Sequence, residues 1–342
     1  MMKYYQTKFE DFQNQTITEY IIETDHMQFS FLDYGARIHK ILTDKNDDQS
    51  NIILSMNTIE DYNESGGYFG ATIGRVAGRI ARGRFDLNGK SYQLEQNDGE
   101  NHLHGGSNAV DKRIWMTTVE EQQDAITLKF KTVIYERDDH YPGDITFEVH
   151  HTVTSDNVWK IEYFAVSTED TLFNPTNHVY FNLNKDYHKK IMNHQLQLNH
   201  DQFVEIDETL IPTGHIKNSP NFDFSDFQAL ETGIMNQDED NQLVDGYDHP
   251  FLLQKGDEKT FTLTTDSDDI TIDVTTDRSC VVIYTSNMLN YRSSDDIVLE
   301  QYSGVTVETQ EIPDAINHAD FGNIILRKDD TYYSSTQFTI IN

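Results

Sequence analysis

Hydrophobic and polar residues alternate with a period of two along most of this chain. In one segment, Ile126, Leu128 and Phe130 share a face, and the positions between them carry threonine and lysine. The same alternation recurs at residues 145–149, 159–163, 261–263, 270–274, 305–307 and 338–340. β-Branched and aromatic residues in this pattern are typical of half-buried antiparallel strands. The pattern therefore predicts strands along nearly the whole chain.

Turn and cap signals mark where these strands end. Asn88-Gly89 predicts a two-residue hairpin turn, and Pro142-Gly143 predicts a second turn. Residues 58–63 have the pattern of one short helix that begins at Asn57 or Thr58, since both side chains are good helix caps. Little else is expected to form a helix longer than two turns.

The order of these elements predicts the fold class. Strands do not alternate with helices, which argues against doubly wound sheets and β/α barrels. No linker-like stretch divides the chain, and the strand spacing has no fixed repeat that would indicate a propeller. We therefore predict an all-β fold, a large antiparallel β-sandwich of two sheets, as a single domain over residues 1–342.

Charge and composition exclude several classes of protein. Lys and Arg number 26 while Asp and Glu number 58, and the net charge of −32 would repel nucleic-acid phosphates and anionic lipid headgroups. The amino-terminal residues lack the apolar stretch of a secretory signal. No segment approaches the roughly 20 apolar residues that span a bilayer. We therefore expect a cytoplasmic protein with no nucleic-acid or membrane partner.

Residue types that often carry chemistry form few familiar motifs here. Cys280 is the single cysteine, so no intramolecular disulfide exists, and the apolar residues after it predict a buried side chain rather than a nucleophile. P-loop, nucleophile-elbow and H-E-x-x-H motifs are absent from the sequence. His102 and His104 have the H-x-H spacing of some metal sites, but no glutamate and later histidine complete a ligand set. We therefore expect no metal.

Two predicted strands carry polar residues on the face opposite their apolar side chains. At residues 176–182 and 304–310 the apolar positions alternate with a polar set: His178, Tyr180 and Asn182, then Thr306, Glu308 and Gln310. A solvated surface and a ligand-binding groove both fit this pattern. Because glutamate is depleted in strand interiors, we favour the groove.

Five motifs in a fixed order identify a family resemblance that extends over most of the chain. They are G-R-V-A-G-R-I at 74–80, L-H-G-G at 103–106, T-N-H-V-Y-F-N at 176–182, G-Y-D-H at 246–249 and E-T-Q at 308–310. With these motifs the chain resembles the galactose mutarotase (aldose 1-epimerase) family. The resemblance implies a supersandwich fold and the interconversion of α and β anomers of aldohexoses such as D-galactose and D-glucose.

The resemblance also implies which residues act. It assigns the general base to Glu308 and the general acid to His178, and it assigns substrate binding to Arg79, His104 and Asp248. It implies no cofactor and a small aldose as the partner, with the protein a monomer or a homodimer.

The sequence departs from the family pattern at three positions. Gly78 stands where relatives usually carry asparagine, so no side-chain role is inherited there. Asp277 falls where some members use glutamine to contact the sugar, which leaves the substrate preference open. His102 replaces another polar residue and inherits no role.

The implied reaction explains the residue types. Opening the sugar ring removes the proton from the C1 hydroxyl and delivers a proton to the ring oxygen, so a base and an acid must flank the anomeric centre. The roles reverse on closure, and no covalent intermediate is needed. We expect nearby carboxylates such as Asp248 to favour protonated His178.

Two alternatives remain open at the level of sequence. A non-catalytic carbohydrate-binding sandwich would keep Arg79 and Asp248 but would not need the pair of Glu308 and His178. A sugar-phosphate epimerase would need additional cations around the phosphate, which the net charge of −32 disfavours.

Overall fold

The protein is built almost entirely from strands. The structure, a computed structural model, describes residues 2–236, 238–254, 256, 259–267 and 269–342. Strands account for 46% of the residues and helices for 10%, which confirms the all-β prediction.

The described residues form 29 strands. In chain order they are β1 (Lys3–Phe12), β2 (Gln15–Glu23), β3 (Gln28–Leu32), β4 (Arg37–Leu42), β5 (Thr72–Ile73), β6 (Arg79–Ile80), β7 (Arg84–Leu87), β8 (Lys90–Gln93), β9 (His102–Leu103), β10 (Met116–Glu121), β11 (Ala125–Ile134), β12 (Ile145–Thr154), β13 (Val158–Ser167), β14 (Thr171–Leu172), β15 (Thr176–Asn177), β16 (Tyr180–Phe181), β17 (His194–Leu198), β18 (Phe203–Ile206), β19 (Pro212–Lys217), β20 (Gln228–Ala229), β21 (Asp248–Leu252), β22 (Phe261–Thr265), β23 (Thr271–Thr276), β24 (Cys280–Tyr284), β25 (Tyr291–Arg292), β26 (Val298–Leu299), β27 (Val305–Gln310), β28 (Ile325–Leu326) and β29 (Thr331–Ile341).

Helices are short. The described α-helices are α1 (Ile59–Glu64), α2 (Glu136–Asp139), α3 (Glu231–Ile234) and α4 (Glu239–Val244). The 3₁₀ turns cover Asp48–Ser50, Ala81–Gly83, Val110–Lys112, Ile191–Asn193 and Ala315–Asn317. Helix α1 is the one that the sequence predicts, and the side chain of Thr58 caps it by accepting a hydrogen bond from the Asp61 N–H.

Two large antiparallel sheets make the sandwich. The nine-stranded sheet has the order β10-β11-β12-β13-β29-β23-β22-β17-β20, and the six-stranded sheet has the order β16-β27-β24-β21-β18-β19. Alternation sets the inward face of each strand; in β12, for example, every second residue is buried. The residues that alternate in the sequence therefore fix which side of each sheet faces the core.

Aromatic and aliphatic side chains from both sheets fill the space between them. Phe181 of the six-stranded sheet packs against Phe338 of the nine-stranded sheet, with ring centroids 5.9 Å apart. Val305 and Val307 of β27 are buried in the same core. The predicted face-to-face sandwich is confirmed, with one addition: a third sheet, of order β1-β2-β3-β4, contributes Phe29 and Phe31 to this core.

The predicted hairpin joins β7 to β8. Asn88 and Gly89 have φ values of 52° and 77°, the left-handed pair that a type I′ turn requires. Cys280 is fully buried, as its apolar neighbours predict. Among the residues that the structure describes, no helix has the length and apolar character needed to cross a membrane.

The segment at 176–182 is not the continuous strand that its alternation predicts. It forms two two-residue strands with different partners, β15 with β5 and β16 with β27. At the break, the His178 N–H donates to the Ala71 carbonyl, and the His178 carbonyl accepts from the Gly70 N–H, each at 2.9 Å. The His178 backbone is therefore hydrogen-bonded to the loop that precedes β5. In a regular strand it would have paired with the neighbouring strand of the sheet.

We expect thermal unfolding to show one calorimetric transition. One continuous core joins all three sheets, so no sheet can unfold while the others keep their apolar contacts. Differential scanning calorimetry at several scan rates measures this. Two separable transitions would show that the chain contains more than one domain.

Candidate active site

A cavity lies on the outer face of the six-stranded sheet, the face turned away from the core. Strand register sets its floor: β24 places Val282 beside Glu308 and Cys280 beside Gln310, and β21 places Asp248 beside Tyr284. Val282, Tyr284, Asp248, Glu308 and Gln310 all line the cavity. The floor is therefore the polar face that alternation predicts for residues 304–310.

The walls of the cavity come from loops and short strands. Tyr68, Arg79, His104, His178 and Pro313 line them. The structure therefore brings all five sequence-predicted site residues, Glu308, His178, Arg79, His104 and Asp248, into one cavity.

A buried carboxyl group and a buried imidazole face each other at the centre of the site. The His178 Nε2 atom lies 3.4 Å from Glu308 Oε1, and the two side chains are only 6% and 4% exposed. The Thr306 hydroxyl donates to Glu308 Oε1 at 3.1 Å. His178 Nδ1 has no hydrogen-bond partner among the described residues. Such a pair can exchange a proton with a bound molecule without competing solvent.

Burial shifts both of these groups toward their neutral forms. It raises the pKa of Glu308 to about 8, with repulsion from Asp248 as the second cause. It lowers the pKa of His178 to about 4. The expectation that Asp248 favours protonated His178 is therefore wrong: desolvation determines the direction at His178, and the charge of Asp248 acts on Glu308 instead. Near neutral pH Glu308 is therefore protonated and the His178 ring is neutral, so the pair holds one transferable proton.

His104 is oriented by a backbone bond. The Gly78 N–H donates to His104 Nδ1 at 3.1 Å, so this nitrogen carries no proton. Burial lowers the pKa of His104 well below the usual imidazole range, which leaves the ring neutral with its proton on Nε2. His104 therefore offers the cavity a hydrogen-bond donor.

Three potential metal ligands lie together in the site. One ligand atom from each of His104, His178 and Glu308 falls within 4.8 Å of the others. The protonated Nε2 of His104 does not suit a cation, since a ligating nitrogen must be unprotonated. His102 lies apart, because its Nδ1 donates to the Glu95 carbonyl at 2.8 Å and its ring packs against Tyr141.

Arg79 is held by a residue that the sequence does not single out. Its Nε donates to Asp98 Oδ2 at 2.7 Å, and the side chain is 13% exposed. This bond fixes the plane of the guanidinium and leaves its two amino groups outside that contact. Arg79 can therefore donate two parallel hydrogen bonds to a ligand.

The chain matches a known family over nearly its whole length. The family model for aldose 1-epimerase matches residues 18–339. The aldose 1-epimerase of Haemophilus influenzae is 33% identical over 91% of this chain and 92% of its own length. The galactose mutarotase of Sus scrofa is 30% identical over 94% of each chain. Among solved structures, galactose 1-epimerase from Lactobacillus acidophilus matches with a TM-score of 0.89 at 28% identity, covering 100% of this chain and 99% of the other.

The chain belongs to the aldose 1-epimerase family.

As an aldose 1-epimerase, the protein is a mutarotase, an isomerase that interconverts the anomers of aldoses. The family resemblance found in the sequence is confirmed, and so is the supersandwich fold. The alternative of a non-catalytic binding module is set aside on the same grounds.

Tyr68 is a residue of this epimerase cavity that sequence reasoning misses. Tyr68 has a left-handed φ of 53°, and its ring lies 4.9 Å from that of His104 and 5.6 Å from that of His178. The only signal in the sequence is a pair of aromatic residues, Tyr68 and Phe69, between Gly67 and Gly70. Asp277, in contrast, does not line the cavity; it is exposed, and its carboxylate accepts a hydrogen bond from the Ser335 N–H.

We expect His102 and His104 to have opposite tautomers. His102 donates from Nδ1, whereas His104 accepts at Nδ1 and so carries its proton on Nε2. Long-range ¹H–¹⁵N correlation spectra of the free enzyme at pH 7 distinguish the two forms, and His102→Gln and His104→Gln variants assign the signals. If His104 were protonated at Nδ1 instead, its Nε2 could not donate a hydrogen bond to the sugar. That nitrogen would then be able to ligate a metal ion together with His178 and Glu308.

Proposed function

We propose that Glu308 and His178 are the acid–base pair of an epimerase that acts on D-galactose and D-glucose. The observation that carries this proposal is the 3.4 Å contact between a buried imidazole and a buried carboxyl group on the cavity floor. Acid–base catalysis of ring opening requires one group of each kind at the anomeric centre. The relatives named galactose mutarotase and galactose 1-epimerase support galactose as a substrate. D-Glucose is included because the family resemblance implies it.

In the proposed mechanism the pair passes one proton through the sugar. Glu308 takes the proton from the C1 hydroxyl while His178 delivers a proton to the ring oxygen, and the C1–O5 bond breaks to leave the open-chain aldehyde. Rotation about C1–C2 presents the other face of the carbonyl. Reversal of the two transfers closes the ring as the opposite anomer, so the enzyme ends in its starting protonation state.

Substrate binding has to favour the charged form of the pair. Burial favours neutral Glu308 and neutral His178, whereas the reaction starts from carboxylate and imidazolium with the same total of one proton. Sugar hydroxyls that hydrogen-bond to the two groups stabilise the charged form, since they replace part of the lost solvation. The bound sugar therefore helps to set the protonation state that opens its own ring.

Three further residues are proposed to hold the sugar. The Arg79 amino groups and the His104 Nε2–H donate to sugar oxygens, and the Asp248 carboxylate accepts from a hydroxyl. Arg79 is the one lysine or arginine among the described residues that line the cavity, and Asp98 already shares its charge. A phosphorylated sugar would lack the cations that a phosphate needs, which favours neutral aldoses. No step of this mechanism requires a metal or cofactor.

We also propose that residues 1–342 form one catalytic domain that acts as a monomer or homodimer in the cytoplasm. The continuous core supports the single domain. The net charge of −32 disfavours association with nucleic acids and membrane surfaces.

The substitution Glu308→Gln should lower kcat for mutarotation by about 10²-fold or more, because an amide of the same size cannot accept the C1 proton. His178→Asn should lower it similarly, because the amide cannot protonate the ring oxygen. Polarimetry of freshly dissolved α-D-galactose and α-D-glucose, corrected for spontaneous mutarotation, measures both.

Matched substitutions outside the cavity serve as controls. Glu162→Gln on β13 and His150→Asn on β12 make the same chemical changes on the other sheet and should retain wild-type turnover. Wild-type turnover in Glu308→Gln would rule out its role as the base.

The pH profile of kcat/KM should be bell-shaped with a broad plateau. Below a pH of about 4 the pair gains a second proton and the base is lost, because burial lowers the pKa of His178 to that value. Above a pH of about 8 the pair loses its only proton and the acid is lost, because burial raises the pKa of Glu308 to about 8. Stopped-flow polarimetry from pH 3.5 to 10 tests this range. An alkaline limb near the ordinary imidazole value of about 6.5 would show that burial does not set the limits.

A further inference from the structure

The Gln310 amide is a buried polar group that the proposed mechanism does not use. The residue is fully buried at the end of β27 and lines the cavity. Neither Gln310 Oε1 nor Nε2 has a hydrogen-bond partner among the described residues. Buried amides are nearly always hydrogen-bonded, so an amide with both atoms unpaired requires an explanation.

Position within the cavity separates Gln310 from other buried polar groups without partners. Tyr141, His249 and Ser30 also have one unpaired atom each, but none of them lines the cavity. Among the described residues, His178 and Gln310 are the two that line the cavity and also have an unpaired buried side-chain atom. His178 has a proposed role in proton transfer. Gln310 is left with an unpaired donor and an unpaired acceptor on a side chain that lines the cavity.

Strand geometry places this amide at a fixed distance from the proposed base. Glu308 and Gln310 are two residues apart on one face of β27, which separates their Cα atoms by about 7 Å. A pyranose ring with its hydroxyls spans a gap of that size. Thr306, two residues before Glu308 on the same face, is already hydrogen-bonded to Glu308. On this face of β27, Gln310 is therefore the polar residue whose side chain has no hydrogen-bond partner among the described residues.

Gly78 keeps the space beside the amide open. Its φ of +73° disfavours other residues, and a Cβ atom there would lie 2.9 Å from Pro313 side-chain carbons and 3.5 Å from Gln310 Nε2. The Gly78 N–H also orients His104. Gly78 therefore lies close to both the Gln310 amide and the ring of His104.

We propose that Gln310 is a further substrate-binding residue, whose Nε2–H donates to, and whose Oε1 accepts from, a hydroxyl of the aldose away from C1. This inference rests on the proposed function, because it takes Glu308 to lie at C1. A hydroxyl both donates and accepts, so it can satisfy both atoms of the amide in a way that a deoxy position cannot. Gln310 then selects aldoses that carry a hydroxyl at one particular carbon.

The test combines a substitution with a set of monodeoxy sugars. Gln310→Met keeps the length and burial of the side chain but removes both hydrogen-bonding atoms. Gln337→Met makes the same change on β29, outside the cavity, and serves as the control. Mutarotation kinetics are measured with D-galactose and with its 2-, 3-, 4- and 6-deoxy forms for wild type and both variants.

We expect Gln310→Met to lower kcat/KM for D-galactose by about 10-fold, mainly through KM, while Gln337→Met has no effect. In the wild type, one deoxy sugar should lose a similar factor. With that same sugar, Gln310→Met should cost nothing further, because the contact is already gone. The other deoxy sugars should show the full loss on substitution.

Two results would overturn the proposal. One is an unchanged kcat/KM in Gln310→Met, and the other is an equal loss with every sugar, which would indicate a purely structural effect. If Gln310→Met does not fold, Gln310→Asn withdraws the amide by one methylene and should give the same sugar-dependent pattern. Wild-type acceleration of D-galactose mutarotation tests the proposed function separately, so its failure would be distinguishable from a failure at Gln310.

Discussion

Strand β27 is buried on both of its faces, and the rest of the structure depends on this constraint. Val305 and Val307 fill the core between the two large sheets, while Thr306, Glu308 and Gln310 form the floor of the cavity. A shift of one residue in register would exchange the two sets and place a carboxyl group in the apolar core. Pairing with β24 on one side and β16 on the other fixes that register. The same hydrogen-bonded ladder thus stabilises the sandwich and positions the carboxyl group.

Burial on the second face also accounts for the electrostatics of the site. A carboxyl group on a solvated strand surface would be ionised at neutral pH and would exchange protons with water. On the floor of this cavity, desolvation raises the pKa of Glu308 and lowers that of His178. The pair therefore keeps one transferable proton over a wide pH range. The pair is therefore ready for a reaction that takes a proton from one sugar oxygen and gives one to another.

How much of this could be predicted from the sequence depends on whether a feature is periodic. The period-two pattern identified the sandwich and the polar face of residues 304–310, because alternation maps directly onto the two faces of a strand. Family motifs identified Glu308, His178, Arg79, His104 and Asp248, five of the residues that line the cavity. Contacts between distant parts of the chain determine the break at His178, the hydrogen bond from Arg79 to Asp98 and the position of Tyr68. No local pattern encodes them. For the same reason, the sequence leaves the role of Asp277 open: a position along the chain does not show on which side of a turn a carboxylate will point.

The floor and the walls of the cavity differ in backbone structure and in the residues that they position. The floor is a hydrogen-bonded sheet whose side chains are spaced by strand geometry. It carries Glu308, the proposed base, whose position has to be fixed for the reaction. The walls are loops and two-residue strands, in which Gly78 and Tyr68 have left-handed backbone conformations that a regular strand would not allow.

A sugar is neutral and presents hydroxyls on every side, so it has to be recognised by many separate hydrogen bonds rather than by one charge. Buried polar atoms without partners among the described residues, such as His178 Nδ1 and the Gln310 amide, destabilise the protein on its own and strengthen its interaction with a ligand that supplies those bonds. The cost to stability is thus located where a polyhydroxylated substrate can offset it.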